Sequence, residues 1–359
     1  MLKQHGLSVE SLPHDVVELI LERLPMDSLL RLKSVSKNWK STIDSRRSQQ
    51  GQFIHRRQSR GPDVLCVPLG YGSDEDAYAI RFVFGRCSSK ASTVWFPVSR
   101  NFDIVVVNPA TRWHQSFPLS NVQHFSIEKY NKCEFAYPLI PRLGFGKDKV
   151  TGTYKPVYLY NSHDFKLGNV TTCEVFDFRT NAWRYVVPSS PYRIFGHYEP
   201  VYLDGSLYDL IKEETELLSL DLHTETFQGI CKGPFVRPLP YNPYSITMCI
   251  LDDRLCVSEK VWPIQEIWSF DGANKTWMKM CSINLTRSVF LFEENSLVRS
   301  SMSQLPIAIL DKNRLLLRGN YDLLHTLVIH DLYTKSFDLL FKPTKRVGTF
   351  YYFESLFSV

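Results

Sequence analysis

The sequence predicts a small N-terminal all-α module of three helices followed by an all-β, propeller-like domain of about six blades. Residues 12 to 41, LPHDVVELILERLPMDSLLRLKSVSKNWKS, repeat apolar side chains at helical spacing. From about residue 64, short β-rich runs such as VLCVPL, FDIVVV, YKPVYLY and TMCIL alternate with Gly, Pro, Asn and Asp turns. Within that β-rich region, a pair of sequence elements recurs at blade-like intervals. The organisation that follows is a helical module at 8–48, a basic linker at 49–63 and the propeller-like domain at 64–359.

The first helix opens at Pro13, where a missing backbone N–H costs nothing. Val16, Ile20 and Leu24 recur every four residues, Val17 and Leu21 widen the stripe, and Glu18 and Glu22 fall on the polar side. Leu24-Pro25 stops this helix, because the residue before proline is pushed out of the helical region. Asp27 or Ser28 is expected to cap a second helix carrying Leu29, Leu30, Leu32 and Val35, and Ser36 a third carrying Trp39 and Ile43. Roughly 35 residues are too few to fold alone without a staple or partner. The apolar surface is therefore either a cap on a larger core or a docking surface for another protein.

Charge separates the modules. Residues 1 to 60 hold 11 Lys/Arg against 6 Asp/Glu, and the rest is balanced at 31 against 31, so the formal +5 lies in the first 60 residues. SRRSQQGQFIHRRQSR has one aromatic residue, Phe53, and no basic-aromatic interleaving, which argues for a solvated linker over a nucleic-acid contact.

In the β-rich region, one element is an apolar strand, an Asp or Asn, a short spacer, Thr or Lys, then an aromatic. It appears as VVNPATRWHQSF, VFDFRTNAWRYV, SLDLHTETFQGI, SFDGANKTWMKM and IHDLYTKSFDLL. A second element, strand-Asp-turn-strand, precedes the last three as YLDGSLYDL, ILDDRLCVS and ILDKNRLLLR. The pairing keeps phase: Asp204 precedes Asp221 by 17 residues, Asp252 precedes Asp271 by 19, and Asp311 precedes Asp331 by 20. Two hairpins, or about four strands, per unit is the pattern of a propeller blade. The Thr is expected to bond back to the Asp in a tight turn, and Trp113, Trp183, Phe227, Trp277 and Phe337 to pack between neighbouring blades.

Composition and motifs exclude several classes. No stretch reaches the ~18 uncharged apolar residues of a membrane span, and MLKQHGLSVES lacks a signal peptide's apolar run, so a cytoplasmic or nuclear protein is expected. The eight cysteines never form C-x-x-C and are expected to be buried small hydrophobes. GFGKD is not a phosphate loop: Pro141 stands where the first Gly is needed and Asp148 where Ser or Thr must bind magnesium. The histidines show neither H-E-x-x-H nor zinc spacing with cysteine, and no G-x-S-x-G elbow occurs. No cofactor, metal or catalytic residue is expected; His197, in YRIFGHYEP, is a candidate to line a propeller mouth, but a lone histidine is more often a hydrogen-bonded structural one.

Two resemblances sharpen this reading. The order Leu12-Pro13, Val16, Ile20-Leu21, Leu24-Pro25, Leu29-Leu30, Val35, Lys37 and Trp39 resembles an F-box, with Ser36 where many F-boxes carry Cys. NPATRW, LGFGKDKVTGTYK, EVFDFRTNAWR, VYLDGSLYDL, LLSLDLHTETF, ILDDRLCVS and EIWSFDGANKTW follow in the order of the F-box-associated domain of plant F-box proteins, and the Gly-Gly pair of kelch repeats is absent. The resemblance implies a non-catalytic substrate-receptor subunit of an SCF-type ubiquitin ligase. Leu12, Pro13, Val16, Ile20, Leu21, Leu24, Pro25 and Leu29 would dock on a Skp-type adaptor and, through it, a cullin. The propeller would bind an unknown protein target. The alternatives are an F-box scaffold or inhibitor that does not direct degradation, and a propeller binding a small ligand or glycan.

Overall fold

The computed structural model describes residues 12–59, 63–68, 77–83, 86–94, 104–108, 111, 113–133, 142–165, 170–194, 200–211, 216–235, 245–288, 304–319, 326–342 and 347–352. The side chains of 56–59, 63–107, 112–115, 164 and 347–352 lie outside the description.

The N-terminal module has four helices: α1 His14–Leu21, α2 Met26–Leu32, α3 Lys37–Asp44 and α4 Arg46–Ser59. Ser36 caps α3 as expected, its hydroxyl accepting the Trp39 N–H at 3.1 Å. For α2 the expectation fails, because the cap is Pro25 and Asp27 and Ser28 sit inside the first turn. Leu21, Met26, Leu29 and Ile43 close a miniature core with Val17, Leu24, Leu30 and Leu32 around it.

The stretch expected as a solvated linker is helical over most of its length. Ser45 starts α4 by accepting the Ser48 N–H at 3.2 Å, and Ser48 and Gln52 are buried where α4 packs on α1 and α3. Gly51 permits the approach, since a Cβ there would overlap the Glu22 carboxylate of the α1 end. Glu18, expected on the polar side, is likewise buried, with His14 Nε2 and the Arg47 Nε of α4 each at 3.7 Å. Basic residues without apolar periodicity hid this helix; small side chains, Ser48 and Gly51, are what seat it.

Beyond it, β1 Asp63–Pro68, β2 Ala77–Val83 and β3 Arg86–Val94 form a four-stranded sheet with β22 Val347–Tyr352, the last strand among the described residues, which pairs with β1. The strands β4 Ile104–Asn108 and β5 Trp113–Phe117 form a two-stranded sheet, followed by a helix, α5 Asn121–Asn131.

Four blades of four consecutive antiparallel strands come next. The first is β6 Arg142–Lys147, β7 Tyr154–Asn161, β8 Thr171–Asp177 and β9 Ala182–Tyr185. The second is β10 Val201–Leu203, β11 Ser206–Leu210, β12 Glu216–Asp221 and β13 Phe227–Lys232. The third is β14 Ile246–Leu251, β15 Arg254–Val261, β16 Ile264–Asp271 and β17 Thr276–Asn284. The fourth is β18 Leu305–Ile309, β19 Arg314–Arg318, β20 Leu327–Asp331 and β21 Phe337–Phe341. Adjacent blades meet through their first strands, β6 with β10, β10 with β14 and β14 with β18.

The described residues thus hold four such blades, and the expectation of about six is corrected. The phase of the Asp repeats identifies only blades with two Asp-type hairpins, and that spacing does not extend over residues 64 to 141, which instead hold a closing sheet, a two-stranded sheet and α5.

The repeated Asp turn has one geometry. Oδ1 of Asp148, Asp221, Asp271 and Asp331 accepts the N–H groups two and three residues on, at 2.8–3.4 Å. The Thr bonds back where it was expected to at Asp221, with Thr224 Oγ1 donating at 3.1 Å. The fourth residue after each Asp, and after Asp177, has positive φ: Gly152, Asn181, Glu225, Lys275 and Lys335. The sixth is aromatic: Tyr154, Trp183, Phe227, Trp277 and Phe337.

Phe227, Trp277 and Phe337 pack between neighbouring blades, as expected, whereas Trp183 packs on β5 and α5. Trp183 Nε1 donates to the Pro118 carbonyl ahead of its blade at 2.7 Å, and Trp277 Nε1 to Lys232 of the preceding blade at 2.9 Å. Phe227 joins a core shared by the first two blades, and Phe337 one shared by the last two. The Trp113 side chain lies outside the described residues. Of the cysteines, Cys173, Cys249 and Cys256 are buried, while Cys133 departs from expectation and is exposed. Burial pushes the Cys281 thiol up to about 11 and the Cys256 thiol to about 12, which favours the uncharged thiol.

Candidate functional site

The set of eight residues implied for docking divides. Leu12, Pro13, Val16, Ile20 and Pro25 are exposed, and Leu24 is half-buried. Leu21 and Leu29 are buried in the core of the helical module and turn away from any partner. The 3.6-residue period explains the division: on α1, Val16 and Ile20 share one face, and Leu21 belongs to the next.

Leu19 completes the outer face. Leu12, Val16, Leu19 and Ile20 are 39–50% exposed, a continuous apolar surface on one short helix and the residue before it. Leu19 stands three residues after Val16, so the same helical period marks it in the sequence. Val35, expected on the second helix, lies instead in the turn between α2 and α3 and is also exposed. With its own core filled by other residues, the module has no internal use for these side chains.

The helical module approaches the β domain at the start of α4. A Cβ at Gly152 would overlap the guanidinium of Arg46, the first residue of α4. Burial, followed by the charge of Arg46, lowers the Lys147 ammonium below its usual range. Gly152 lies in the β6–β7 turn, at the end of the blades that carries all the Asp turns. Because antiparallel strands alternate in direction, the second-to-third-strand and blade-to-blade connections lie at the opposite end. Among the described residues of that end, Tyr192 and Trp262 are exposed.

Among the described residues no group of three His, Cys, Asp or Glu side chains converges to hold a metal, and no helix is long and apolar enough to cross a membrane. His197 and His325 lie outside the described residues. His330 is buried, stacked on Phe337 with ring centroids 4.3 Å apart, and its Nδ1 is 3.0 Å from the Ser336 carbonyl.

Comparison with known proteins agrees with this division. Residues 9–50 match the F-box domain, and residues 96–359 match the F-box associated beta propeller domain. The chain is 53% identical to F-box protein At1g11270 of Arabidopsis thaliana over 76% of this chain and 93% of that protein. It is 46% identical to F-box/LRR-repeat/kelch-repeat protein At1g09650 of the same plant over 99% of both chains. A third Arabidopsis relative, F-box protein At2g34280, is 40% identical over 98% of this chain and all of that one.

Proposed function

The chain belongs to the plant F-box proteins that carry an F-box associated β-propeller domain, and from that premise we propose that it is the substrate-recognition subunit of an SCF-type ubiquitin ligase. The observation that carries the reading is the apolar stripe Leu12, Val16, Leu19 and Ile20, exposed on a module whose own core is already closed by Leu21, Met26, Leu29 and Ile43. A groove on a Skp-type adaptor removes that stripe from water, and the adaptor connects the chain to a cullin.

In this role the chain makes and breaks no bonds. It holds a target protein close to a ubiquitin-charged enzyme and so replaces a random encounter with a high effective concentration. Distance and orientation are then what it must control. Seating of α4 on α1 and α3, and of Arg46 on the Gly152 turn, supports a docked pair of modules rather than two bodies on a loose tether. The Asp-turn end of the blades faces the helical module at Gly152, so the opposite end, with Tyr192 and Trp262, is the surface we assign to the target.

The test is co-purification and calorimetry with a Skp-type adaptor, using the full chain and the paired substitution Leu12→Ala with Pro13→Ala. The wild-type chain should bind, and the variant should lose binding while its β domain melts unchanged. Failure of the wild-type chain to bind, or a variant that binds equally well, removes the proposal.

A further inference from the structure

At the end of the first blade opposite its Asp turns, where β8 begins and β9 finishes, four large apolar side chains reach solvent. Val170, Tyr185, Val187 and Tyr192 are 38–84% exposed.

Local pairing brings them to one corner. Past the end of β9, the Val186 N–H donates to the Cys173 carbonyl at 2.9 Å, and Thr171 and Ser190 exchange N–H to carbonyl bonds at 3.2 and 3.1 Å. Between those contacts Val187, Pro188 and Ser189 oppose Thr172 alone, so the chain bulges outward and all three are exposed. Val170, next to Thr171, lies beside the same bulge. Tyr192 carries the surface to the second blade, since a Cβ on Gly229 of β13 would stand 3.8 Å from its hydroxyl.

The segment is held in place on both sides. Tyr192 donates its N–H to Ser190 Oγ at 3.2 Å, and the Asn161 side-chain amide clamps Ile194, accepting its N–H at 2.9 Å and donating to its carbonyl at 2.8 Å. Pro188 and Pro191 fix two backbone φ angles between these anchors. A surface ordered before a partner arrives loses little entropy on binding.

Its chemistry is uncharged. Neither Val170–Cys173 nor Val186–Tyr192 contains an ionisable acid or base of the Asp, Glu, Lys, Arg or His type. Of the flanking charges, Glu174 is buried beneath α5, Arg184 donates to Glu225 at 2.6 Å, and Arg193 is half-buried. A partner that set a charge on this corner would lose water and meet no free counter-charge, whereas an apolar segment gains by burial. Tyrosine adds a large rigid contact with a hydroxyl at its edge.

We propose that this corner binds an uncharged, apolar segment of the target protein, with Val187 and Tyr192 as anchors. The inference rests on the assignment of this end of the blades to the target. It narrows that assignment to the first blade and to a charge-poor partner.

The experiment selects random phage-displayed peptides on the full-length chain and measures the enriched peptides by calorimetry. These should be rich in Leu, Ile, Phe and Trp and free of charge where they bind, and an Asp placed at their centre should lower affinity about tenfold or more. Val187→Asp and Tyr192→Ala should each lower affinity about tenfold, whereas Trp262→Ala on the third blade should not. The exposure of Val187 means that its variant folds, which matching thermal melts would verify. Adaptor binding by these variants should equal that of the wild type, so failure at this corner leaves the adaptor reading intact. The proposal is overturned if no peptide binds saturably, if the enriched peptides bind through charged residues, or if neither the Val187 nor the Tyr192 variant weakens them.

Discussion

The carboxylate of Glu174 sits beneath the first turn of α5, accepting the backbone N–H of Asn121 at 2.9 Å. The same group accepts the Val122 N–H and the Asn121 side-chain amide, both at 2.9 Å, and the Tyr160 hydroxyl at 3.0 Å. It is fully buried on β8, so it joins an inserted helix to the first blade through four donors that would otherwise be unmet. Glu174→Ala leaves the Val122 N–H and the Tyr160 hydroxyl buried without this acceptor and should cost about 3 kcal/mol in urea unfolding. Tyr160→Phe removes one donor only and should cost about 1 kcal/mol. Equal small losses for both would show that the carboxylate is not what anchors α5.

That helix also shows where the sequence was unreadable. Ser120 and Gln123 form a capping box, each side chain bonded to the other's backbone N–H, and the S-x-x-Q spelling was present to be read. What hid it is the next eleven residues, NVQHFSIEKYN, whose buried positions Val122, Gln123 and Ser126 are mostly polar and give no apolar stripe. Glu174, 53 residues away, supplies the compensation, and a partner at that distance has no signature in local pattern. By contrast, the Asp turns were legible because all their components lie within seven consecutive residues. The docking face was legible in outline, but periodicity alone did not say which of the apolar rows, that of Ile20 or that of Leu21, faces inward.

Asp209 should make the protein less stable as pH rises through the weakly acidic range. It lies on β11 with its Oδ1 accepting the Leu210 N–H at 2.7 Å and its Oδ2 buried without a partner. Burial, against that one hydrogen bond, pushes its carboxyl up to about 7. The folded state therefore holds a proton that the unfolded chain releases near pH 4. Stability from this group is intact below pH 4, declines between about 4 and 7, and is level above, with a total on the order of 4 kcal/mol. Asp209→Asn cannot ionise, so the difference between wild-type and variant unfolding free energies should change with pH over that window. A pH-independent difference would refute the assignment.

Gly152 should matter for two separable reasons. Its φ of +74° strains any other residue, and a Cβ there would strike the Arg46 guanidinium. Gly152→Ala should cost about 1 kcal/mol from backbone strain alone. In the Arg46→Ala background only the strain cost should remain, so the two costs should differ by a coupling of about 0.5 kcal/mol or more. Coupling of zero in this double-mutant cycle would mean that the Arg46 guanidinium is not held against the β6–β7 turn in solution.

The docking face makes the most demanding prediction, because it asks two apolar residues nine positions apart to behave in opposite ways. Ile20 is 46% exposed on the outer face of α1, and Leu29 is 1% exposed in the core beneath it. Ile20→Ala removes almost nothing the folded chain uses, so unfolding should shift by under about 0.5 kcal/mol. Truncating an anchor buried in an adaptor groove costs about 1–2 kcal/mol, so affinity for the adaptor should fall roughly tenfold, chiefly through faster dissociation. Leu29→Ala opens a cavity in a four-residue core and should destabilise the helical module by about 2–5 kcal/mol. Its binding loss should then track the unfolded fraction and recover on cooling or with stabilising osmolyte, whereas the Ile20→Ala loss should not recover. If the two variants lose binding and stability in the same proportion, the outer stripe belongs to the module's own packing, and the partner must be held elsewhere.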